Sequence, residues 1–519
     1  MAESASRLGR LLSHNHAILT DRPGPAAAMG AVILALLFIR ALLFPGTGGD
    51  DGEQLIFSQF FAWGYQVRNP PLYTWLVTAV AEITGPTLWA VNIVKFTLLA
   101  GMYLLLWRAA RRLIHDPRLA ALAGLSPVLF YYIAWEVVTG FSHTVLVGVL
   151  YALVLWVFLR LRDDDSGKII DYALLGLAIG MGGIAKYAFW IFLIALVLAA
   201  LTDRTLRRRL LSPRLLITLA VAALVMAPHY LWLIERLDVL SAQAGESAAA
   251  KTGLSFKGLG HGVKAAIGFL APFWIIALAC FPQAFRRRPA ERDAPDPMVR
   301  VIGWQMVLIL AGTATGALLL PDFRIRTHYM VALLPFPLWV LARAEAAGIT
   351  PRRLGIYAAV VALGLIAGPV GMIMKYFFEP LTCGRCQHHI PYGELADEIR
   401  NLGFKGGTVV AYWHPDPLPG NLRAALPEAR VISLKHSDVI PPLGKDHVDG
   451  QCLVVWSADA ARDNRPDAIS GANTLLNAGV PPDAPQKLVI APLAGLPLLT
   501  SGKNAALGVI LTPGHGECR

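Results

Sequence analysis

The chain reads as a polytopic α-helical membrane protein of about 11 transmembrane helices, followed by a C-terminal periplasmic α/β domain. Three observations predict this. Of 519 residues, 55% are hydrophobic and only 16% charged, with a mean hydropathy of +0.53, far more apolar than soluble globular chains. Apolar runs long enough, or nearly so, to cross about 30 Å of hydrocarbon recur through the first 375 residues. Beyond residue 376 they give way to short β-branched runs separated by Gly, Pro and Asp.

Residues 1–25 carry Arg7, Arg10 and Arg22 ahead of the first apolar run. Together they resemble a signal peptide, but the run at 26–44 is too long and lacks a small-residue cleavage site, so it is expected to be a retained anchor behind a cytoplasmic N-terminus. Ten further spans follow at 86–107, 117–135, 142–160, 169–185, 187–202, 214–235, 262–284, 299–320, 327–343 and 354–375. The stretch from Pro70 to Thr84 is apolar but short and opens with Pro70-Pro71, which suits a helix lying in the interface. Arginines cluster at 108–118, 204–214, 286–292 and 352–353, and the positive-inside rule makes those loops cytoplasmic. The loops at 45–85, 136–141, 236–261 and 321–326 then lie outside with the C-terminal region, and the parity closes only if residues 70–84 do not cross. The same loops account for much of the net charge of +11, so a nucleic-acid partner is excluded.

In residues 376–519 buried strands are expected at 408–412, 430–434, 452–456, 487–491 and 507–511, with a helix from Tyr392 to Leu402. Cys280 lies in a span, whereas Cys383, Cys386, Cys452 and Cys518 lie in the external domain, where disulfides are permitted. For Cys383-Gly384-Arg385-Cys386 a structural disulfide, a zinc site with His388 and His389, and a redox pair are all compatible with the spacing.

The candidate chemistry sits in the first external loop, where Asp50, Asp51 and Glu53 follow the first span. A carboxylate at the mouth of a hydrocarbon layer loses solvation and calls for a cation, a metal or a proton. External cations accompany it. Lys186 suits an anion, or else snorkels to the interface; Arg68, Arg324 and Arg326 suit phosphate, or else anchor to lipid headgroups. His229 either serves the site or bonds a neighbouring helix, and Glu136 and His143 also fall on the external side. Trp63, Tyr65, Tyr73 and Trp75 read as an interfacial aromatic belt. A base opposite phosphate-binding cations fits a donor whose phosphate is attached to a lipid, and no Walker-type glycine loop is present.

The ordered set Asp50-Asp51-Gly52-Glu53, Trp63-Gly64-Tyr65 and Pro70-Pro71-Leu72 with Trp75 resembles the first external loop of the GT-C glycosyltransferases. The branch is that of the aminoarabinose transferases and protein mannosyltransferase-like enzymes. The similarity continues through Ala185-Lys186-Tyr187, Pro228-His229-Tyr230-Leu231-Trp232 and Leu333-Leu334-Pro335, covering most of the membrane half. It implies inverting transfer of a sugar from a polyprenyl-phosphate donor to lipid A, core oligosaccharide or another envelope glycan, on the periplasmic face of the bacterial inner membrane. Asp50 would be the general base, Lys186 and Arg326 would hold donor phosphate, and the C-terminal domain would help bind the acceptor. The resemblance fixes neither the donor sugar nor a requirement for a divalent cation. Asp51 stands where family members commonly carry Glu, and Asn69 where they carry Lys or His. A transporter or flippase of lipid-linked sugar is the alternative, and a non-catalytic envelope scaffold a third reading. Ionisable residues gather at span ends rather than mid-span, which disfavours transport.

Overall fold

The computed structural model describes residues 24–163, 167–239, 241, 256–286, 295–319, 325–384, 386–412, 417–444, 450–458, 464–500 and 502–519. The membrane half is helical throughout: α1 Gly24–Leu43, α2 Gly49–Phe57, α3 Leu72–Thr84, α4 Leu88–Leu113, α5 Pro117–Leu125, α6 Ser142–Arg162, α7 Ile169–Gly183, α8 Phe189–Ala200, α9 Arg204–Leu210 and α10 Leu215–Ile234. There follow α11 Phe256–Leu270, α12 Phe273–Cys280, α13 Pro297–Leu319, α14 Phe336–Ala346 and α15 Pro351–Thr382.

Helices overlie all eleven predicted runs, but not all as single rods. Among the described residues, seven are long and apolar enough to cross a membrane, or eight if the α8–α9 pair, bent by 120°, counts as one. The run at 117–135 is broken: α5 passes into a 3-10 turn at Ser126–Leu129 and then a π-helical turn at Tyr132–Glu136. The run at 262–284 breaks at Pro272, which cannot donate a helical hydrogen bond. Hydropathy registers the apolar length but not these interruptions. The 13-residue α3 spans only about 20 Å at 1.5 Å per residue, too short to cross.

Small residues set the helix spacing. On α7 a side chain at Gly176 would stand 2.6 Å from the Thr218 carbonyl, and one at Gly180 would stand 2.7 Å from Val225, so glycine lets α7 and α10 touch along their backbones. This contact fixes the α7–α8 turn bearing Lys186 against the end of α10 bearing His229. α15 opens with Pro351 at its first position and the Thr350 side chain capping the Arg353 amide, and then runs for 32 residues. At about 48 Å it exceeds the hydrocarbon thickness by roughly 18 Å, so its last turns carry Glu379 into the C-terminal domain.

That domain holds α16 Tyr392–Asn401, β1 Gly407–Ala411, α17 Leu418–Ala425, β2 Ala429–Ser433, β3 Gln451–Ser457, α18 Arg465–Leu476, β4 Lys487–Pro492 and β5 Asn504–Pro513. The five strands coincide with the five predicted ones. Their order is β2-β1-β3-β5-β4, with β2, β1 and β3 parallel and β5 antiparallel to both β3 and β4. One sheet face packs Val409, Val431 and Leu453 against Leu395, Ile399 and Leu422 of α16 and α17; the other packs Val410, Ile432 and Val454 against Ala468, Ala472 and Leu476 of α18. Period-two alternation within each strand supplies both cores.

The first loop is built into this domain. At the sheet edge the outward backbone groups of Val431 are satisfied by one side chain, the Gln59 amide, which donates to the Val431 carbonyl and accepts from its N–H at 2.8 Å each. Asn421 brackets the Thr47 backbone in the same way, accepting from its N–H at 2.8 Å and donating to its carbonyl at 2.9 Å. A side chain at Gly420 would lie 2.1 Å from the Gly52 carbonyl, so α17 meets α2 backbone to backbone.

Candidate active site

Helix α2 begins at Gly49, whose φ of +45° favours glycine, and its first turn holds Asp50 and Asp51 where the helix dipole favours negative charge. The three carboxylates then diverge. Asp51 is buried and accepts from Lys95 of α4, from Ser142 at the start of α6 and, at 3.2 Å, from Thr47. Thr47 in turn accepts from Arg40 at 3.1 Å. These contacts fasten α2 to the membrane helices. Glu53 faces the C-terminal domain: it accepts from Lys435 at 3.3 Å and stands 3.2 Å from the His436 ring. Burial alone would raise its pKa, but His436, Lys435 and Arg68 outweigh burial and hold it at about 2.

Asp50 has no hydrogen-bond or ion-pair partner among the described residues. It is surrounded by protein yet keeps partial solvent exposure. Desolvation, then the Glu53 charge, pushes its carboxyl up to about 7; Asp51 adds to this, while Lys186 and Lys95 pull the other way. A carboxylate poised near neutrality is suited to taking a proton.

Lys186 stands in the turn between α7 and α8, where the Leu72 amide of α3 donates to the Ile184 carbonyl at 3.1 Å and holds the turn against the first loop. Burial lowers the Lys186 pKa against the opposing pull of Asp50. Its ammonium makes no protein hydrogen bond or ion pair among the described residues. Arg326 is exposed at the start of the 3-10 turn Thr327–Leu333. Lys186 and Arg326 both lie within electrostatic reach of His328, whose ring stacks on Phe141 at 6.0 Å. Arg68 donates to Gln66 at 3.3 Å and reaches Glu53 through space. Arg324 lies outside the described residues.

His229 is buried with both ring nitrogens engaged, Nδ1 with the Trp63 carbonyl at 2.9 Å and Nε2 with the Tyr187 hydroxyl at 3.2 Å. It ties α10, the first loop and the Lys186 turn together. His143 is also buried, 3.1 Å from Gln54 of α2. Trp63 and Phe61 are about half exposed and pack with Trp75 at 5.9 and 5.6 Å. Sequence reasoning did not single out Lys95, Ser142, Lys435 or His436. Only Lys95 left a signal, as a charge within an apolar run.

Cys383 pairs with Cys386 where α15 enters the C-terminal domain, and Cys452 of β3 pairs with Cys518 at the tail. His389 is held by Glu379 at 3.2 Å and by the Ala494 carbonyl at 3.0 Å. Among the described residues no group of three or more His, Cys, Asp or Glu converges as a metal site.

A helical membrane body, an extended external loop with a free carboxylate over the helix ends, and a C-terminal sheet domain define a membrane glycosyltransferase of the GT-C superfamily. The chain belongs to the family of the lipopolysaccharide core galacturonosyltransferases RgtA and RgtB of Rhizobium johnstonii. It is 30% identical to RgtB over 412 residues, covering 78% of this chain and 81% of RgtB, and 28% identical to RgtA over 464 residues, covering 86% and 90%. The pattern of the dolichyl-phosphate-mannose-protein mannosyltransferases matches residues 68–232. ArnT from Cupriavidus metallidurans shares the fold, with a TM-score of 0.62 for the form bound to undecaprenyl phosphate and 0.58 for the apo form. Each comparison is 14% identical in sequence and covers 92% of this chain and 97% of ArnT.

Proposed function

We propose that this enzyme transfers a galacturonosyl residue from a polyprenyl-phosphate donor to the lipopolysaccharide core, on the periplasmic face of the inner membrane. The carrying observation is that, among the described residues, Asp50 alone of the three first-loop carboxylates has no protein partner, with Lys186, itself without an ion pair there, in electrostatic reach. The galacturonosyl group and the core acceptor follow the activity named for RgtA and RgtB, and the polyprenyl carrier follows the ligand of ArnT.

In this reading Asp50 takes the proton from an acceptor hydroxyl as the oxygen attacks the anomeric carbon from the face opposite the phosphate. The bond between the anomeric carbon and the phosphate oxygen breaks, its electrons pass to the phosphate, and the sugar leaves with inverted configuration. Lys186 and Arg326 neutralise the charge that builds on the departing polyprenyl phosphate. Asp51 and Glu53 act indirectly, the first by holding α2 on the membrane helices and the second by seating the C-terminal domain.

The test is release of polyprenyl phosphate by the purified chain, using donors that carry galacturonic acid, galactose or aminoarabinose together with a lipopolysaccharide core acceptor. Acceptor-dependent release from the galacturonic acid donor is expected. Turnover confined to another donor would reassign the sugar, and movement of intact donor across vesicles without release would favour the transporter.

A further inference from the structure

A cavity opens where the first loop, the end of α10 and the C-terminal domain meet. It measures about 280 Å³ and is lined by Phe60, Tyr65, Trp232, Arg236, Asp438 and Val439 among others. None of these has a part in the proposed chemistry. Clefts for drug-sized ligands run from roughly 300 to 1,000 Å³, so this one would take a single ring-sized group.

Its walls divide by chemistry. Phe60, Tyr65 and Val439 give an apolar surface, and Tyr65 spends its hydroxyl on the Phe60 carbonyl at 2.8 Å. Arg236 and Asp438 supply opposite charges from separate elements and form no ion pair with each other. The Arg236 guanidinium is stacked 4.3 Å over Trp232, donates once to the Trp232 carbonyl at 3.2 Å and, among the described residues, otherwise meets only the exposed Glu235 at 3.6 Å. Most of its five donors therefore remain unspent. Asp438 is exposed and has no protein partner among the described residues. A sugar ring offers apolar C–H faces and a polar rim, and a carboxylate on it matches a pre-stacked guanidinium.

The cavity is tied to the reaction centre through α2. Ile56 and Phe57, at the far end of that helix, pack against Tyr65 and Val439, while the Val439 amide donates to the carbonyl of His436, the residue beside Glu53. Seven residues separate Asp50 from Phe57, about 10 Å along a helix axis.

We infer that this cavity is an acceptor subsite, in which Arg236 and Asp438 bind a carboxylate-bearing sugar of the envelope glycan next to the one that reacts at Asp50. The inference rests on the proposed transfer to a glycan acceptor. Its test has two readouts on the purified full chain. The first is calorimetric binding of core oligosaccharide released by mild acid from rough lipopolysaccharide, and of the same oligosaccharide with its carboxyl groups reduced. The second is the acceptor KM of transfer. Arg236→Gln and Asp438→Asn should each weaken binding and raise acceptor KM by about tenfold, the loss of one charge-assisted contact, with donor KM and thermal unfolding unchanged. Reduction of the carboxyl groups should weaken binding to the unaltered chain but not further to Arg236→Gln. Binding with this dependence but no transfer would sustain the subsite and sink the catalytic reading. Transfer with acceptor KM unmoved in both variants, or no oligosaccharide binding by the unaltered chain, would overturn the subsite.

Discussion

Asp50 and Asp51 are adjacent in sequence and opposite in circumstance. Asp51 is spent on Lys95, Ser142 and Thr47, whereas Asp50 has no partner among the described residues. The sequence marks the carboxylate cluster as the place of chemistry, because three acids directly after a span are costly unless used. It cannot separate the members, since helical twist alone turns one inward and the next toward open space. Lys95 was read as part of a span, yet its side chain is fully buried against Asp51. Breaking a buried ion pair from one side leaves an uncompensated charge, so Lys95→Met should destabilise the protein by roughly 3–5 kcal/mol, and Lys95→Met with Asp51→Leu should recover most of that loss. Thermal unfolding of both single variants and the double variant checks it; additive losses would mean that the pair does not hold α2 in place.

Among elements, the five strands were legible because each is a short β-branched run bounded by turn residues. Helix α17 was not, since Leu418-Pro419-Gly420-Asn421 has the composition of a turn. Contact supplies what propensity lacks: Gly420 lies flat on Gly52, and Asn421 binds the Thr47 backbone. The breaks in the third and eighth apolar runs escaped for a related reason, because hydropathy averages over an interruption that backbone hydrogen bonds do not. The α17–α2 contact carries a prediction. Gly420→Val would force the helices apart, and a displacement near 1 Å at α2 should cost about 10²-fold in kcat/KM while polyprenyl-phosphate binding persists. Steady-state kinetics alongside donor binding measures this, and unaltered kcat/KM would show that α17 does not position the carboxylate.

At the scale of the whole molecule, the membrane body and the C-terminal domain act as one device. α15 carries one into the other, α2 is clamped between them, and residues far apart in sequence, such as Glu53 and His436, meet at the junction. That distance is why the domain's part in the site was invisible from the chain, although its strands were not. The tail is closed by Cys452–Cys518, which spans 66 residues and in the chain-entropy model is worth about 4 kcal/mol. Cys452→Ala with Cys518→Ala should lower the unfolding temperature of that domain much more than Cys383→Ala with Cys386→Ala, whose loop spans three. Differential scanning calorimetry of the two pairs decides it, and equal effects would point away from loop closure.

The central claim is that Asp50 is the base. Its carboxyl, pushed up to about 7 by burial and by Glu53, must lose its proton before it can accept one from the acceptor, so activity should fall as pH drops through that value. The measurement is the pH dependence of kcat/KM for galacturonosyl transfer by the unaltered chain and by Asp50→Asn. The account predicts a rise with pH with its midpoint near 7, and a loss of roughly 10²–10⁴-fold in Asp50→Asn together with disappearance of that titration. Asp50→Asn turning over at the unaltered rate, or keeping the same pH profile, would contradict it and place the base elsewhere.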